Sequence, residues 1–172
     1  MAEVKKKKIV QRSKRVAFMN TSADSGTPKF ERMTNFTSMT NSKNPKEYTR
    51  QYVDEDSERS DVVGYAPSID FSYDRHTETA VHTRLSEIHD GELLGDDAHV
   101  DIVTVDLFDG DNETGYKAVK RTYAVIPDTD GDGNDALIYS GTFKSVSEIT
   151  KGTAKLDENG QTVTFTPTPA AG

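Results

Sequence analysis

The sequence of 172 residues contains no cysteine. Disulfide bridges and thiolate metal sites are therefore excluded, which is compatible with a cytoplasmic protein. No run approaches the roughly 18 apolar residues of a membrane-spanning helix, and the basic start lacks the apolar stretch of a signal peptide. We therefore expect no membrane segment, and a protein that is kept in a cytoplasm or released without classical secretion.

Hydrophobic residues are scarce, at 33% of the chain, and the mean hydropathy is -0.71. A chain of this length can bury roughly 70% of its unfolded surface in one domain. The low apolar content predicts a modest core with long polar arms or loops. We expect a basic N-terminal arm over residues 1–15, a single β-sandwich domain over 16–166 and a flexible tail over 167–172.

Sequence signatures of catalysis are also missing. The chain has no G-x-S-x-G motif, and its glycine-containing segments at 109–111 and 131–133 are acidic, so they would repel phosphate. His82 and His89 stand seven residues apart, not four as in zinc proteases, and with Glu78 they predict a polar helix flank. We expect no enzyme activity and no cofactor.

Charge is abundant but unevenly placed. Residues 1–15 carry seven Lys or Arg and one Glu, a formal charge of +6, and the remaining 14 basic and 28 acidic residues give -14. A basic arm can therefore dock on the acidic body of another copy, or it can remain a solvated tail. An arm for nucleic acid is disfavoured, because no aromatic residue precedes Phe18 and the acidic body repels phosphate.

One segment shows a clear period of two, from Val62 to His76, after an acidic loop at 54–61. Its apolar face comprises Tyr65, Pro67, Ile69, Phe71 and Tyr73, and its polar face Ala66, Ser68, Asp70 and Ser72. This alternation predicts a strand with one buried face. A helix is predicted over Glu78–Asp90, with Thr77 as N-cap, Gly91 as the stop and an apolar stripe of Val81, Leu85 and Ile88.

The other predicted elements are short strands separated by turn residues. They include Phe30–Met39, Val100–Phe108, Tyr116–Ile126, which Pro127 ends, and a hairpin around Asn159-Gly160. Many short strands with regularly spaced turns predict a mainly β fold, a sandwich or partial barrel flanked by one helix.

An aspartate-rich segment, Asp128–Asp135, matches the first half of a D-x-D-x-D-G calcium loop. Its candidate ligands are Asp128, Asp130, Asp132 and Asn134. Tyr139 stands where the bidentate Glu is expected, and no helices flank the loop. The pattern therefore favours a turn-rich hairpin tip, with a calcium site as the alternative.

The acidic loop and its flanks are candidate contacts between copies of the chain. Alternating Tyr48, Arg50 and Tyr52 are residue types that favour interfaces. The predicted inter-subunit contact residues are Lys5, Lys6, Lys7, Lys8, Arg12, Tyr48, Arg50, Tyr52, Asp54, Glu55 and Asp56.

Several phrases over about residues 16–147 resemble major tail proteins, or tail tube proteins, of long-tailed phages that infect Gram-positive bacteria. They are FERMTNFTSMTNSKNPKEYTRQYVDEDSERSDVVGYAPSIDFSYD, HDGELLGDDAHVDIVTVDLF, YKAVKRTYAVIPD and YSGTFK. The resemblance implies a β-sandwich with a helix and hexameric rings stacked into a tube, with an inner barrel built by strands of all copies. It also implies a tape measure protein, a tail terminator and a distal tail protein as partners.

The resemblance implies a virion location, with assembly in the host cytoplasm and a non-contractile tail. DNA passes through such a tube without specific binding, and an acidic body suits this. The predicted lumen-lining residues are Ser68, Asp70, Ser72, Thr104 and Asp106. Two alternatives remain open at this point: an extracellular calcium-binding β-module for ligand adhesion, and another virion component such as a tail terminator.

Overall fold

The computed structural model describes residues 6–22 and 26–169. Over these residues the chain forms eleven strands, one α-helix and two short 3-10 turns. The strands are β1 (Arg15–Asn20), β2 (Phe30–Arg32), β3 (Phe36–Ser42), β4 (Pro45–Arg50), β5 (Arg59–Tyr65), β6 (Ser68–Asp74), β7 (His99–Asp111), β8 (Gly115–Asp132), β9 (Ile138–Ser145), β10 (Thr150–Leu156) and β11 (Thr162–Pro167). The helix α1 covers Ala80–Asp90, and the turns cover Arg12–Lys14 and Gly95–Ala98. This mainly β structure with one helix confirms the predicted fold class.

The chain divides into two compact units. The first unit comprises Met1–Met33, Ile102–Lys120 and Ile149–Gly172, and the second comprises Thr34–Asp101 and Arg121–Glu148. The long strands β7 and β8 each contribute residues to both units. The predicted boundaries of the arm, the sandwich domain and the tail stay predictions.

A closed barrel of six strands forms the first unit, in the order β10-β11-β2-β1-β7-β8. The ring closes because β10 pairs with β8 as well as β11, so that Thr150 lies opposite Lys120 and Ala154 opposite Tyr116. Apolar side chains fill it: Val16, Phe18, Phe30, Val103, Val105, Ala118, Ala154 and Val163. Closure leaves this unit without an open sheet edge.

The second unit contains a sheet in the order β8-β9-β6-β3 and the helix α1. Aromatic rings from neighbouring strands stack on one face, with Phe71 and Phe143 centred 4.2 Å apart. The predicted helix stripe is confirmed as buried, with Val81, Leu85 and Ile88 at most 2% exposed. The helix ends where predicted, since the Gly91 N–H donates to the Glu87 carbonyl oxygen.

The predicted continuous strand Val62–His76 is wrong. The structure has two strands there, β5 and β6, which belong to different sheets. The break falls at Ala66-Pro67, where the proline has no N–H to donate to a ladder. Instead, the Ala66 N–H donates to the Asn44 carbonyl oxygen over 3.2 Å. The alternation holds over Pro67–Tyr73, whereas Tyr65 is 62% exposed.

Other element boundaries differ for local backbone reasons. The predicted strand Phe30–Met39 is interrupted before β3, where Asn35 has a φ of 63°. The helix begins at Ala80, with Thr79 as N-cap, because Glu78 has a φ of 58°. Pro127 does not end β8, because the strand continues to Asp132 through irregular pairing with β9.

The predicted polar flank of the helix is wrong at His82, which is fully buried. Its Nδ1 accepts a hydrogen bond from the His76 backbone N–H at 3.0 Å. Its Nε2 lies 2.8 Å from the Thr34 carbonyl oxygen, to which it donates. Because both ring nitrogens have backbone partners, the imidazole can lie inside the protein.

Candidate subunit interface

Strands β4 and β5 form a two-stranded sheet of their own. Nearly all their residues are exposed, including the large side chains Tyr48 (55%), Tyr65 (62%) and Val63 (58%). An isolated two-stranded hairpin is marginally stable in water, and exposed apolar and aromatic groups favour an interface. We call residues 45–65 the ribbon.

Arg50 organises the side chains of the ribbon. Its guanidinium forms an ion pair with Asp61 (2.6 Å) and donates to the Tyr52 hydroxyl (2.8 Å). The same group lies 5.2 Å from the ring centre of Tyr48 and 5.5 Å from that of Tyr52, within the range of cation–π attraction. The ribbon therefore carries a preorganised tyrosine–arginine surface.

The tip of the ribbon is acidic. Asp54 and Asp56 are exposed, and Val53 is fully exposed. Glu55 forms an ion pair with Arg59. The structure thus brings most of the predicted ribbon contacts together on one element. It assigns Glu55 to a contact within the ribbon, which leaves its neighbours as the outward charges.

The basic arm is described from residue 6, so Lys5 lies outside the described residues. Lys6, Lys7 and Lys8 are exposed and belong to no regular element. Ile9 (95%) and Val10 (52%) are exposed beside them. Sequence reasoning missed this apolar pair. Because it lies between two basic clusters, the arm offers both positive charge and an exposed apolar surface.

The sheet of the second unit has one face made mainly of small polar side chains. Of the residues predicted to line a lumen, Ser68, Asp70 and Ser72 lie on this face. Cross-strand pairing sets them beside the exposed Lys144, which lies opposite Ser68, and beside the hydroxyl residues Ser38, Thr40, Ser42, Ser140 and Thr142. Thr142 donates to Asp70 at 2.8 Å. The opposite face carries the buried aromatic stack. We call this set the hydroxyl face.

Thr104 and Asp106, also predicted to line a lumen, lie on β7 in the barrel of the first unit. Asp106 is only 7% exposed. Its carboxylate pairs with Arg15, directly opposite on β1, with Nε–Oδ1 at 2.6 Å and Nη2–Oδ2 at 3.2 Å. Within this chain the charge of Asp106 is therefore matched locally, and the exposed acid of the predicted set is Asp70.

The aspartate-rich segment does not form the predicted separate loop, because β8 extends through Asp132. Asp128, Asp130 and Asn134 are exposed, and the side chain of Asp132 lies outside the described residues. The structure places Asp130 beside His89 and Asp90 of the helix. Whether these residues bind calcium stays a prediction.

No helix within residues 6–22 and 26–169 is long and apolar enough to cross a membrane. Comparison with known proteins gives no matching protein-family model and no matching curated protein. Solved structures do match. One is a chain from the tail of an empty gene transfer agent (GTA) particle, determined by helical refinement with C6 symmetry.

That chain is similar to 83% of this one over 98% of its own length, with a TM-score of 0.59 and 11% identity. A chain of the virion of the native GTA particle matches over the same shares, with a TM-score of 0.56 and 11% identity. This chain has their fold. The likeness covers nearly the whole of each GTA chain, so it concerns the complete architecture and not a single shared motif.

Proposed function

We propose that this protein is a structural subunit of the tail tube of a long-tailed phage. Copies form hexameric rings, and the rings stack into a hollow tube through which DNA is ejected. The observation that carries the proposal is the fold shared with a chain of a tail that has C6 symmetry. The phrases that resemble tail tube proteins of phages of Gram-positive bacteria support it independently.

The ribbon supports self-association. Its tyrosines and valines are exposed in a single chain. Burying them against another copy removes apolar area from water, which contributes a favourable free energy of roughly 25 cal/mol per Å². In our proposal the ribbon packs on a neighbouring subunit, with Tyr48, Arg50 and Tyr52 at the centre and Asp54 and Asp56 at the rim. The arm, with Lys6 to Lys8 and Arg12, docks on the acidic body of another copy.

The hydroxyl face supports a lumenal wall. Serine and threonine hydroxyls offer short, uncharged side chains, and Asp70 adds a negative charge that repels phosphate. Neither feature grips DNA, which suits a conduit, although Lys144 opposite Ser68 adds a positive charge to the same face. β3 has a partner strand on one side only among the described residues, so its other edge is available to a neighbouring subunit.

The remaining parts of the proposal follow from the tail tube role. The partners are further copies of the chain, a tape measure protein inside the tube, a tail terminator and a distal tail protein. The location is the tail of the virion, with assembly in the cytoplasm of the host bacterium, and the tail is non-contractile. The protein is then a structural component and not an enzyme.

Electron microscopy of the purified full chain over a range of salt and protein concentrations tests this proposal. We expect rings or tubes with sixfold symmetry. A chain that stays monomeric under all conditions, and also fails to polymerise with tail partners, would overturn it.

A variant carrying Tyr48→Ala and Tyr52→Ala tests the ribbon, and Phe108→Ala is the matched control, because Phe108 is similarly exposed (47%) on another element. We expect the ribbon variant to keep its circular dichroism spectrum but to lose tubes, and the control to retain them. Tubes of normal length from the ribbon variant would show that the ribbon is not part of the interface.

Removal of residues 1–11, which leaves Arg15 and β1 intact, tests the arm in the same way.

A further inference from the structure

Three potential metal ligands meet in the second unit, where the last turn of α1 lies beside β8. His89 and Asp90 end the helix, and Asp130 lies on the strand. The Nε2 atom of His89 is 3.5 Å from Oδ2 of Asp130. One ligand atom from each of the three residues lies within 4.8 Å of the others. Side-chain rotation can therefore bring these three ligand atoms around one ion.

Tyr139 on β9 supports two members of this cluster. Its hydroxyl donates to Asp90, with distances of 3.2 and 3.0 Å to the two carboxylate oxygens. Its ring stands edge-on to the His89 imidazole, with centres 4.9 Å apart. Because Tyr139 is itself 5% exposed, it holds both side chains in place from inside the protein. Such supporting contacts are typical of metal sites.

A second observation concerns a buried tyrosine hydroxyl. Tyr73 lies opposite Tyr139 across the β6–β9 pair, and the two rings stack with centres 5.5 Å apart and planes 5° apart. Tyr73 is 1% exposed, yet its hydroxyl has no hydrogen-bond partner within the described residues. A buried hydroxyl without a partner is costly, and an ordered water or ion commonly satisfies it.

Tyr73 and Tyr139 project from directly paired positions and their rings stack, so the Tyr73 hydroxyl lies on the same side of the sheet as the Tyr139 hydroxyl, which reaches Asp90. Burial raises the pKa of Tyr73, and the neighbouring Tyr139 and Asp90 raise it further, whereas Arg75 lowers it. The hydroxyl therefore remains protonated, and its oxygen is also free to accept a hydrogen bond. A water molecule bound to a metal at the cluster can donate a hydrogen bond to the Tyr73 oxygen.

The charges favour a cation. Asp90 and Asp130 supply two carboxylates, and the carbonyl end of α1 adds the negative pole of the helix dipole. Arg75 opposes them, since its positive charge acts on both tyrosines. Carboxylates alone suit calcium or magnesium, but an imidazole nitrogen with two carboxylates suits a borderline metal such as zinc.

We propose that His89, Asp90 and Asp130 form a binding site for a divalent transition metal, with zinc as the metal of choice. His89 binds through Nε2, and each aspartate binds through one carboxylate oxygen. A water molecule completes the coordination and donates a hydrogen bond to the Tyr73 hydroxyl oxygen. The bound metal fastens the end of α1 to β8. This site differs from the D-x-D-x-D-G calcium pattern, with which it shares only Asp130, and it does not depend on the tail tube proposal.

Calorimetric titration of the chelator-treated full chain with zinc chloride tests the site, together with its thermal unfolding midpoint. We expect one zinc per chain and a higher midpoint with zinc. His89→Gln and Asp130→Asn each weaken zinc binding about tenfold or more, and Tyr139→Phe, which loses only a supporting contact, weakens it about tenfold. Calcium and magnesium bind more weakly than zinc.

Two matched controls are available. Asp128→Asn removes an exposed carboxylate from the same strand, outside the cluster. His99→Gln removes another histidine that lies beside an aspartate, with Nδ1 of His99 3.6 Å from Asp96 Oδ1. We expect zinc affinity to be unchanged in both. Nitrogen NMR chemical shifts give a readout independent of stability, and zinc is expected to shift Nε2 of His89 but not that of His99.

Three results would overturn the proposal. The first is no zinc binding at millimolar concentration. The second is zinc binding that persists in a protein carrying both His89→Gln and Asp130→Asn. The third is calcium binding that is tighter than zinc binding, which would assign the site to a hard cation held by carboxylates.

Discussion

His82 shows how one buried side chain links stability to pH. Its two ring nitrogens use one donor and one acceptor, which is the pattern of a neutral imidazole. Burial lowers the pKa of His82, and the charges of His76 and Arg75 lower it further, against the Thr34 hydrogen bond and Asp74. The folded protein therefore keeps this group neutral at a pH where the unfolded chain binds a proton.

We predict that the folded state loses stability below the pH at which an unfolded histidine titrates. Above about pH 6.5 neither state binds the proton, so the contribution of His82 is complete. As the pH falls below that value, only the unfolded state binds the proton, and the free energy of unfolding drops by at most about 1.4 kcal/mol per pH unit. Urea unfolding between about pH 7.5 and about pH 5.5 measures this slope.

The matched variants are His82→Asn and His99→Gln. The first is expected to reduce the slope, whatever its effect on stability at neutral pH, and the second to leave the slope unchanged. An equal slope in the wild type and in the His82 variant would contradict the prediction.

Arg15 and Asp106 show where single-residue predictions reached their limit. The alternation along β7, with Val103 and Val105 in the core, places Asp106 on the other face of the strand. It does not show that a residue 91 positions earlier lies opposite and covers the carboxylate. Cross-strand pairing decides the exposure of a polar strand residue, and it is not encoded in the strand's own pattern.

At the scale of elements, local signals predicted the helix and the last hairpin. The stripe of Val81, Leu85 and Ile88 and the stop at Gly91 fix α1 locally. The Asn159-Gly160 turn joins β10 to β11, with Gly160 at a φ of 67° and the Asp157 carboxylate accepting from Gln161 and Thr162. These features depend on neighbours within a few residues, which is why the sequence alone predicts them.

The elements that were missed depend on partners far along the chain. The pattern of 62–76 continues across Pro67, but its two halves pair with β4 on one side and with β3 and β9 on the other. Likewise, the barrel closes only because β10 pairs with β8. No local sequence pattern predicts that pairing. A period of two predicts which face of a strand is buried, but it does not predict the sheet to which the strand belongs.

Gly152 offers a test of close packing between barrel strands. A Cβ atom there would lie 2.3 Å from the Thr166 carbonyl oxygen and 2.8 Å from the Phe165 ring. We predict that Gly152→Ala lowers the free energy of unfolding by about 1–3 kcal/mol, because β10 and β11 must shift apart. Urea denaturation measures the change.

Gly64 provides the matched control. It lies in β5, and a Cβ atom there has no neighbour within 4 Å. Gly64→Ala is expected to be neutral or to stabilise by a few tenths of a kcal/mol, through the reduced freedom of the unfolded chain. Equal effects of the two substitutions would show that the contacts at Gly152 relax without cost.

At the scale of the whole molecule, the absence of cysteine makes labelling experiments specific. We predict that Asp70→Cys, on the hydroxyl face, reacts readily with small and with bulky polyethylene-glycol maleimides in the dispersed protein. If the hydroxyl face lines a narrow lumen, as we propose, only the small reagent is expected to react at the same rate in assembled tubes. Gel shifts measure both rates.

The control for the lumen is Glu113→Cys, at the exposed turn between β7 and β8. It is expected to react with both reagents before and after assembly. If Asp70→Cys in tubes reacts with the bulky reagent as fast as this control, the hydroxyl face does not line the lumen.

The acidic tip of the ribbon has a consequence for timing. A freshly made copy displays tyrosines and valines on a strand pair that its own core does not cover, a surface that invites random clumping. In the proposed tail tube, the carboxylates of Asp54 and Asp56 at the end of this pair would repel those of another free copy and so oppose such clumping. Within that proposal, the repulsion would slow the first association of free copies, so tube formation would depend on protein concentration and on salt.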